Sequence, residues 1–258
     1  MIDDRTEPTE PKAPAPTPAE PAPIDEAAVP LEATPAGAVA AVPPPAPPPP
    51  PTREESLYAR AKEQTDAGEI VAAVSTYREL IKLAPKHVRA RNNLALLLEQ
   101  RGDIDGAIAE LTQALQLEPD NASMLGNRAA MLSTRMRYDQ AEQDLRRAMR
   151  LDENNVEVLT SLGLVLLRMA RLREALEPLK RAVELEPNHA TAHYYLGEVY
   201  NRVDQLPMAL AAYETAATLQ PTNWRAFKGV GNVLDRMSRP TEAAAAHRRA
   251  REVQVQKR

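Results

Sequence analysis

The sequence predicts an all-α protein, a solenoid of stacked antiparallel helix pairs that follows a disordered N-terminal segment rich in proline and alanine. Three observations predict this fold: a period of 34 residues that recurs six times, apolar residues at helical spacing inside each period, and a concentration of prolines before the first period. Aromatic residues make up only 3% of the chain. We therefore expect a core of Leu, Ala, Val and Met, which suits helices that pack closely through small residues.

The N-terminal segment differs in composition from everything that follows it. Of the 24 prolines, 17 fall between Pro8 and Pro51, among alanines and acidic residues. Such a segment cannot bury enough apolar area to offset its conformational entropy, so we predict that residues 1–53 are disordered. The run from Pro43 to Pro51 is typical of a polyproline II spacer, and the alternative is a docking peptide for a proline-binding module.

Charge also divides the chain. Residues 1–51 carry eight acidic and two basic groups, a net charge of −6, which leaves +2 for the rest of a chain with a net charge of −4. From Arg225 onward there are nine Lys or Arg residues against three Asp or Glu residues. The acidic segment is thus a candidate intramolecular partner for this basic end. We do not expect nucleic-acid binding there, because the arginines are not interleaved with aromatic residues beyond Trp224 and Phe227.

Alanines set the 34-residue period, and they recur without an insertion. They are Ala73, Ala107, Ala141, Ala175, Ala209 and Ala243. The predicted solenoid spans 54–258, with repeats at 54–87, 88–121, 122–155, 156–189, 190–223 and 224–257. Because a single helix pair cannot bury its own apolar face, the pairs must stack on one another.

Each period contains two predicted helices. The first carries apolar residues at helical spacing, and a turn marked by Gly68, Gly102 or polar residues follows it. The second has the pattern A-x3-[YL]-x2-A-x2-L, and in most repeats a proline ends it. Position 8 of the period is always small, which lets backbones approach closely; these residues are Ala61, Ala95, Ala129, Gly163, Gly197 and Gly231. Arg91 and Arg128 occupy core positions, and we expect their charged ends to reach solvent.

The pattern closely resembles the tetratricopeptide repeat (TPR) family. The small residue at position 8, the alanines at positions 20 and 27, the aromatic or Leu at 24 and the Pro at 32 carry the resemblance. It implies a right-handed superhelix whose first helices line a concave groove. It also implies a scaffold that binds a partner protein or peptide in that groove, and it says little about which partner is bound.

The resemblance assigns groove positions residue by residue. The groove residues that we single out are Asn92, Asn93, Leu96, Asn127, Ser161, Leu164, Arg168, Tyr194, Tyr195, Glu198, Arg202, Lys228 and Asn232. Asn93 and Asn127 share one position in adjacent repeats, and an amide there can donate to and accept from a peptide backbone. This is similar to the asparagine ladder of protein-glycosylating transferase solenoids, and the alternative is a pair of solvated polar residues. Tyr194 and Tyr195 supply rigid amphipathic surface of the kind that anchors partners.

Enzymatic and metal chemistry find little support in the sequence. The chain has no cysteine, no Gly-rich phosphate loop and only four histidines. His189 and His193 have the i, i+4 spacing of a metal-binding pair, but the repeat register puts His189 in a loop and His193 at a packing position. We therefore predict no enzyme, no cofactor and no metal site.

The sequence leaves two functional hypotheses. The first is a protein-interaction scaffold, and the alternative is an accessory or substrate-recruiting subunit of a glycosyltransferase or of a secretion or assembly machine. The acidic N-terminus lacks an apolar signal region, and no apolar run is long enough to span a bilayer. We therefore expect a soluble cytoplasmic protein, unless a misassigned start codon hides an export signal or anchor upstream.

Overall fold

The computed structural model describes residues 51–256. The predictions for the segment before residue 51, including disorder and the polyproline spacer, lie outside the described residues. Within residues 51–256 the chain forms twelve α-helices and no strand, in the right-handed α-solenoid that the sequence predicts. The helices are α1 (Arg53–Asp66), α2 (Ile70–Leu83), α3 (Val88–Gln100), α4 (Ile104–Leu117), α5 (Ala122–Thr134), α6 (Tyr138–Leu151), α7 (Val156–Arg168), α8 (Leu172–Leu185), α9 (Ala190–Arg202), α10 (Leu206–Leu219), α11 (Trp224–Arg236) and α12 (Pro240–Gln256).

The helix ends repeat with the sequence period. From the second repeat on, every first helix begins at position 1 of its repeat, and every second helix begins at position 17. The first repeat differs, because α1 already begins at Arg53 and Thr52 caps it through a hydrogen bond from the backbone N–H of Glu55. Residues 52 and 53, which the sequence assigned to the disordered segment, therefore belong to the first helix pair.

Side chains in the loops between repeats cap the N-termini of most of the first helices. The residue at position 34 accepts a hydrogen bond from a backbone N–H in the first turn of the following helix. This holds for His87, Asn121, Asn155 and His189. The Nδ1 atom of His189 accepts from the backbone N–H of Ala192 at 3.1 Å, so this histidine acts as a helix cap.

Position 15, in the turn within each pair, has a positive φ in all six repeats. It is glycine only at Gly68 and Gly102, with φ of 75° and 81°. The other four repeats place Met136, Ala170, Asp204 and Ser238 in this left-handed conformation, which side chains other than glycine adopt at a cost. The turn geometry is thus conserved between repeats although the residue is not.

The core confirms the role predicted for the small residue at position 8. In the last three repeats a glycine there faces the side chain at position 24 of the same repeat: Leu179, Tyr213 or His247. A Cβ on Gly197 would lie 2.8 Å from Cδ1 of Tyr213, and Gly229 of the next repeat touches the same ring. The close approach of backbone and ring leaves Tyr213 with no exposed area.

Two arginines in the core correct the expectation that their charged ends reach solvent. Arg91 is only 8% exposed; its guanidinium pairs with Glu110 at 2.6 Å and also donates to the carbonyl of Pro85. Arg128 donates two hydrogen bonds of 2.7 Å to Asp144. A carboxylate on the second helix of the same repeat, which the sequence argument overlooked, makes burial of each charge tolerable.

No helix within residues 51–256 is both long and apolar enough to cross a membrane. The helix α8 runs unbroken through Pro178. The last helix, α12, is 17 residues long, three more than the other second helices.

Candidate groove

The first helices form the inner side of the array. The neighbouring first helices α5, α7, α9 and α11 contact one another directly, in addition to the second helices that separate them along the chain. Elements on the inside of a curved solenoid approach each other most closely, so this row lines the concave face. All thirteen groove residues singled out from the sequence lie on first helices, and each is half-buried or exposed.

The two asparagines of the suggested ladder are engaged inside the protein. Nδ2 of Asn93 donates to the hydroxyls of Tyr58 and Tyr77, at 3.3 and 3.1 Å. Nδ2 of Asn127 donates to Oδ1 of Asn92 at 3.3 Å. Asn93 thus uses both amide hydrogens on tyrosines and keeps only its carbonyl oxygen for a ligand, whereas the sequence argument treated it as a free donor and acceptor.

Tyr194 and Tyr195 form the aromatic part of the groove. Their ring centroids lie 5.3 Å apart with an interplanar angle of 62°, and the ring of Tyr194 also packs against that of Tyr213 at 5.8 Å. Burial raises the pKa of Tyr194 to about 12, with a smaller contribution from the nearby carboxylate of Glu198. Burial also raises the pKa of Tyr195. Both hydroxyls are therefore neutral and able to donate at physiological pH.

Glu198 is oriented by the protein itself. It accepts a hydrogen bond of 2.8 Å from the hydroxyl of Tyr213 on α10, and Nη2 of Arg202 lies 3.9 Å away. Arg202 in turn donates to the carbonyl of Leu167 in the preceding repeat. These two predicted groove residues thus also hold neighbouring helices together.

A first pocket, here called the small-residue pocket, lies between α5 and α7. Its volume is about 400 Å³. It exists because Gly126 has no side chain and nothing lies within 4 Å of where its Cβ would be. Glu157 stands at its edge and forms no ion pair with any residue from 51 to 256. The lining residues are Ala122, Ser123, Gly126, Asn127, Ala130, Leu145, Asn155, Glu157, Val158 and Ser161.

A second pocket, here called the aromatic pocket, lies between α9 and α11. Its volume is about 250 Å³, and its lining includes Tyr194, Tyr195, Trp224 and Arg225. The guanidinium of Arg225 lies 5.4 Å from the centroid of the Trp224 ring, within cation–π range. In the described part of the chain neither Arg225 nor the exposed Lys228 has a carboxylate partner.

The two histidines that raised the question of a metal site do not form a pair. His189 caps α9, as described above, and Nε2 of His193 lies 2.9 Å from the carbonyl oxygen of Pro187. His189 instead lies near Glu157 and Glu186, with ligand atoms of all three within 4.8 Å of one another. Both glutamates are exposed, and the prediction that the chain holds no metal stays a prediction.

Several lining residues escaped the sequence argument because they lie outside the first helices. Asn155 and Asn223 belong to the loops between repeats, and Leu145 reaches the small-residue pocket from α6. A usable signal was present, since both loop residues occupy position 34 of the repeat. Each pocket forms between two repeats, so positions assigned within a single repeat do not give its full lining.

Comparison with known proteins agrees with this architecture. The family model for the tetratricopeptide repeat matches residues 58–122, 100–156 and 160–206, which together cover more than half of the chain. No curated protein sequence matches the chain.

Solved structures with the same fold cover most of the solenoid. A crystal structure of MamA is 26% identical, with a TM-score of 0.58 over 64% of this chain and 96% of that one. YrrB, described as a TPR protein with an unusual peptide-binding site, is 23% identical with a TM-score of 0.56, over 69% and 92% of the two chains. PilF of Pseudomonas aeruginosa is 21% identical with a TM-score of 0.65, over 75% and 88%.

Proposed function

This chain belongs to the tetratricopeptide repeat family, and we propose that it is a protein-interaction scaffold that binds a segment of a partner protein in the concave groove of repeats two to six. The observation that carries the proposal is the pair of open pockets between first helices, one lined by small residues and one by tyrosines. Pockets of this kind accept side chains of a bound segment.

The groove has the composition of a recognition surface. Tyr194 and Tyr195 are held rigidly by packing, so little conformational entropy is lost when a partner covers them. Leu96 and Leu164 add apolar area at position 9 of their repeats, and Leu96 is 40% exposed. YrrB, which has a peptide-binding site, shares the fold; at 23% identity that likeness supports the scaffold and no particular partner.

The alternative role, as an accessory subunit of a glycosyltransferase or assembly machine, rested on the asparagine ladder. The ladder positions keep little free donor capacity, since Asn93 and Asn127 already donate to Tyr58, Tyr77 and Asn92. No other observation on the described residues favours this alternative. We do not propose a catalytic role.

The test places a tryptophan in the groove and compares its effect on partner capture with that of a tryptophan on a second helix. Ala130 on α5 is exposed and lines the small-residue pocket, whereas Ala211 on α10 is exposed on a second helix. Proteins captured from native lysate by wild type, Ala130→Trp and Ala211→Trp are quantified by mass spectrometry. We expect specific partners to fall at least tenfold with Ala130→Trp only. Equal capture by all three folded proteins would refute groove binding.

A further inference from the structure

The two pockets are equivalent by register but opposite in charge. Each lies between consecutive first helices, and each is lined by positions 2, 5, 6 and 34 of the upstream repeat and by position 2 of the downstream repeat. At the downstream position 2 the small-residue pocket has Glu157 and the aromatic pocket has Arg225. Position 5 differs too, with Gly126 in one pocket and Tyr194 in the other.

No Lys or Arg within residues 51–256 neutralises the acidic charge beside the small-residue pocket. Glu157 and Glu186 bring carboxylate oxygens within 4.8 Å of each other, and no Lys or Arg among residues 51–256 pairs with either. Two like charges at that separation repel, and a cation placed between them relieves the repulsion. Of the two glutamates only Glu157 lines the small-residue pocket. The apolar side chains of Leu145 and Val158 line it as well, so the pocket suits a long side chain with a charged end.

The basic charge at the aromatic pocket likewise has no ion-pair partner within residues 51–256. Twelve of the 23 arginines within residues 51–256 donate to a carboxylate or a carbonyl group; Arg236, for example, pairs with Asp204. Arg225 and Lys228 make no such bond within residues 51–256 and are exposed on the groove face of α11. This end of the groove therefore attracts carboxylates.

We propose that the groove selects a partner segment by charge order: a Lys or Arg side chain of the partner enters the small-residue pocket, and an Asp or Glu side chain lies at the aromatic pocket. The inference rests on the proposed function and adds the chemistry of the partner to it. It assigns the acidic and basic ends of the recognised segment to fixed ends of the groove.

The separation of the two partner residues follows from the repeat geometry. The pockets are two repeats apart, and the intervening first helices α7 and α9 pack directly on their neighbours. With packed helices roughly 8–10 Å apart, the pockets are separated by roughly 16–20 Å. An extended segment advances about 3.3 Å per residue, so the basic and acidic residues are about five or six positions apart.

The test uses an array of twelve-residue peptides in an alanine and leucine background. Each peptide carries one Lys and one Glu, in either order, separated by one to nine positions. The full-length chain is applied at low ionic strength, where charges are weakly screened, and with a chelator, so that no metal ion occupies Glu157 and Glu186. We expect one order to bind at least fivefold more strongly than the other, with a maximum at a separation of five or six.

A charge-swapped variant provides the decisive comparison. Glu157→Lys and Glu186→Lys combined with Arg225→Glu and Lys228→Glu keep the net charge and alter only exposed side chains. We expect this variant to prefer the reverse order at the same separation.

An unchanged preference, no dependence on separation, or no peptide binding overturns the proposed charge order. If Ala130→Trp still abolishes array binding in the first two cases, groove binding stands without it. If Ala130→Trp leaves array binding intact, both proposals fail.

Discussion

The hydroxyl of Tyr213 donates a hydrogen bond of 2.8 Å to the carboxylate of Glu198, and so joins the second helix of the fifth repeat to its groove-lining first helix. The tyrosine side chain is completely buried. Burial, together with the nearby Glu198 carboxylate, raises the pKa of Tyr213 far above its ordinary value, so the hydroxyl keeps its proton and remains a donor. Glu198, which the sequence places in the groove, therefore also helps to hold two helices together.

Replacing Tyr213 with Phe is expected to destabilise the solenoid. The change removes a hydrogen bond to a charged group, which is worth about 1.5–3 kcal/mol. Tyr138→Phe is the matched control, because no hydrogen bond from that hydroxyl is present within residues 51–256. Urea unfolding followed by circular dichroism measures both variants. Equal midpoints for the two variants would argue against a structural role for the Tyr213–Glu198 bond.

Two glycines on first helices are expected to respond oppositely to alanine. A Cβ on Gly197 would lie 2.8–3.0 Å from three ring atoms of Tyr213, so Gly197→Ala should destabilise by about 1–3 kcal/mol through overpacking. A Cβ on Gly126 meets nothing within 4 Å, so Gly126→Ala should stabilise by up to about 1 kcal/mol through helix propensity. Thermal unfolding distinguishes the two variants, and shifts of the same sign would contradict the difference in packing between Gly197 and Gly126.

The turn at position 15 offers a reciprocal test. Ala170 has a φ of 58° and Gly102 a φ of 81°. Because an alanine in the left-handed region is strained, Ala170→Gly should raise the unfolding free energy by about 1 kcal/mol, less the entropy that glycine adds to the unfolded chain. Gly102→Ala should lower it by a similar amount. The left-handed turn would lose support if Ala170→Gly destabilised the protein as strongly as Gly102→Ala.

The sequence predicted the fold well because the period fixes which residues face inward. The alanines at positions 20 and 27 and the small residue at position 8 report packing within a repeat, and the structure confirms those contacts at Gly197 and Tyr213. Hydrogen bonds between particular polar side chains carry no such signal. The bonds from Asn93 to Tyr58 and Tyr77 depend on how far tyrosine side chains reach, which spacing alone does not give.

The charged residues of the groove show the same limit: the repeat register gives their positions but not their partners. The register could place Glu157 and Arg225 at equivalent positions, but it could not tell which charged residues are neutralised by neighbours. Arg202 and Arg236 are engaged with adjacent repeats, whereas Arg225 has no such partner among residues 51–256. Three-dimensional contacts were needed to separate structural arginines from those left for a ligand.

The hydroxyl of Tyr194 is expected to lose its proton at a higher pH than an exposed tyrosine does. Its pKa is raised to about 12 in the folded state, mainly by burial, against about 10 in an unfolded chain. The folded protein therefore holds this proton more tightly. The associated stability is complete below pH ~10 and is lost as the pH rises through about 12. Tyrosinate absorbance of wild type minus Tyr194→Phe should show this component near pH 12 in buffer and near pH ~10 in urea. A midpoint near 10 in both would contradict burial of the hydroxyl.

Replacing one residue of the buried pair of Arg128 and Asp144 is expected to lower the unfolding free energy more than replacing both. Asp144→Ala leaves the guanidinium of Arg128, whose side chain is only 21% exposed, without its bidentate partner. We expect a loss of about 2–3 kcal/mol, less than for a fully buried pair because water still reaches part of the arginine. The double variant Arg128→Leu with Asp144→Ala should recover most of that loss.

The fifth repeat shows why recovery is expected. It carries Leu196 and Ala212 at the two positions that Arg128 and Asp144 occupy in the third, and both are buried there. A repeat with an apolar pair at these positions therefore packs well in the same solenoid. A double-mutant cycle of unfolding free energies measures the coupling. If the double variant were as unstable as the sum of the single variants, the coupling energy would be zero, and the expected mutual compensation of two buried charges would be refuted.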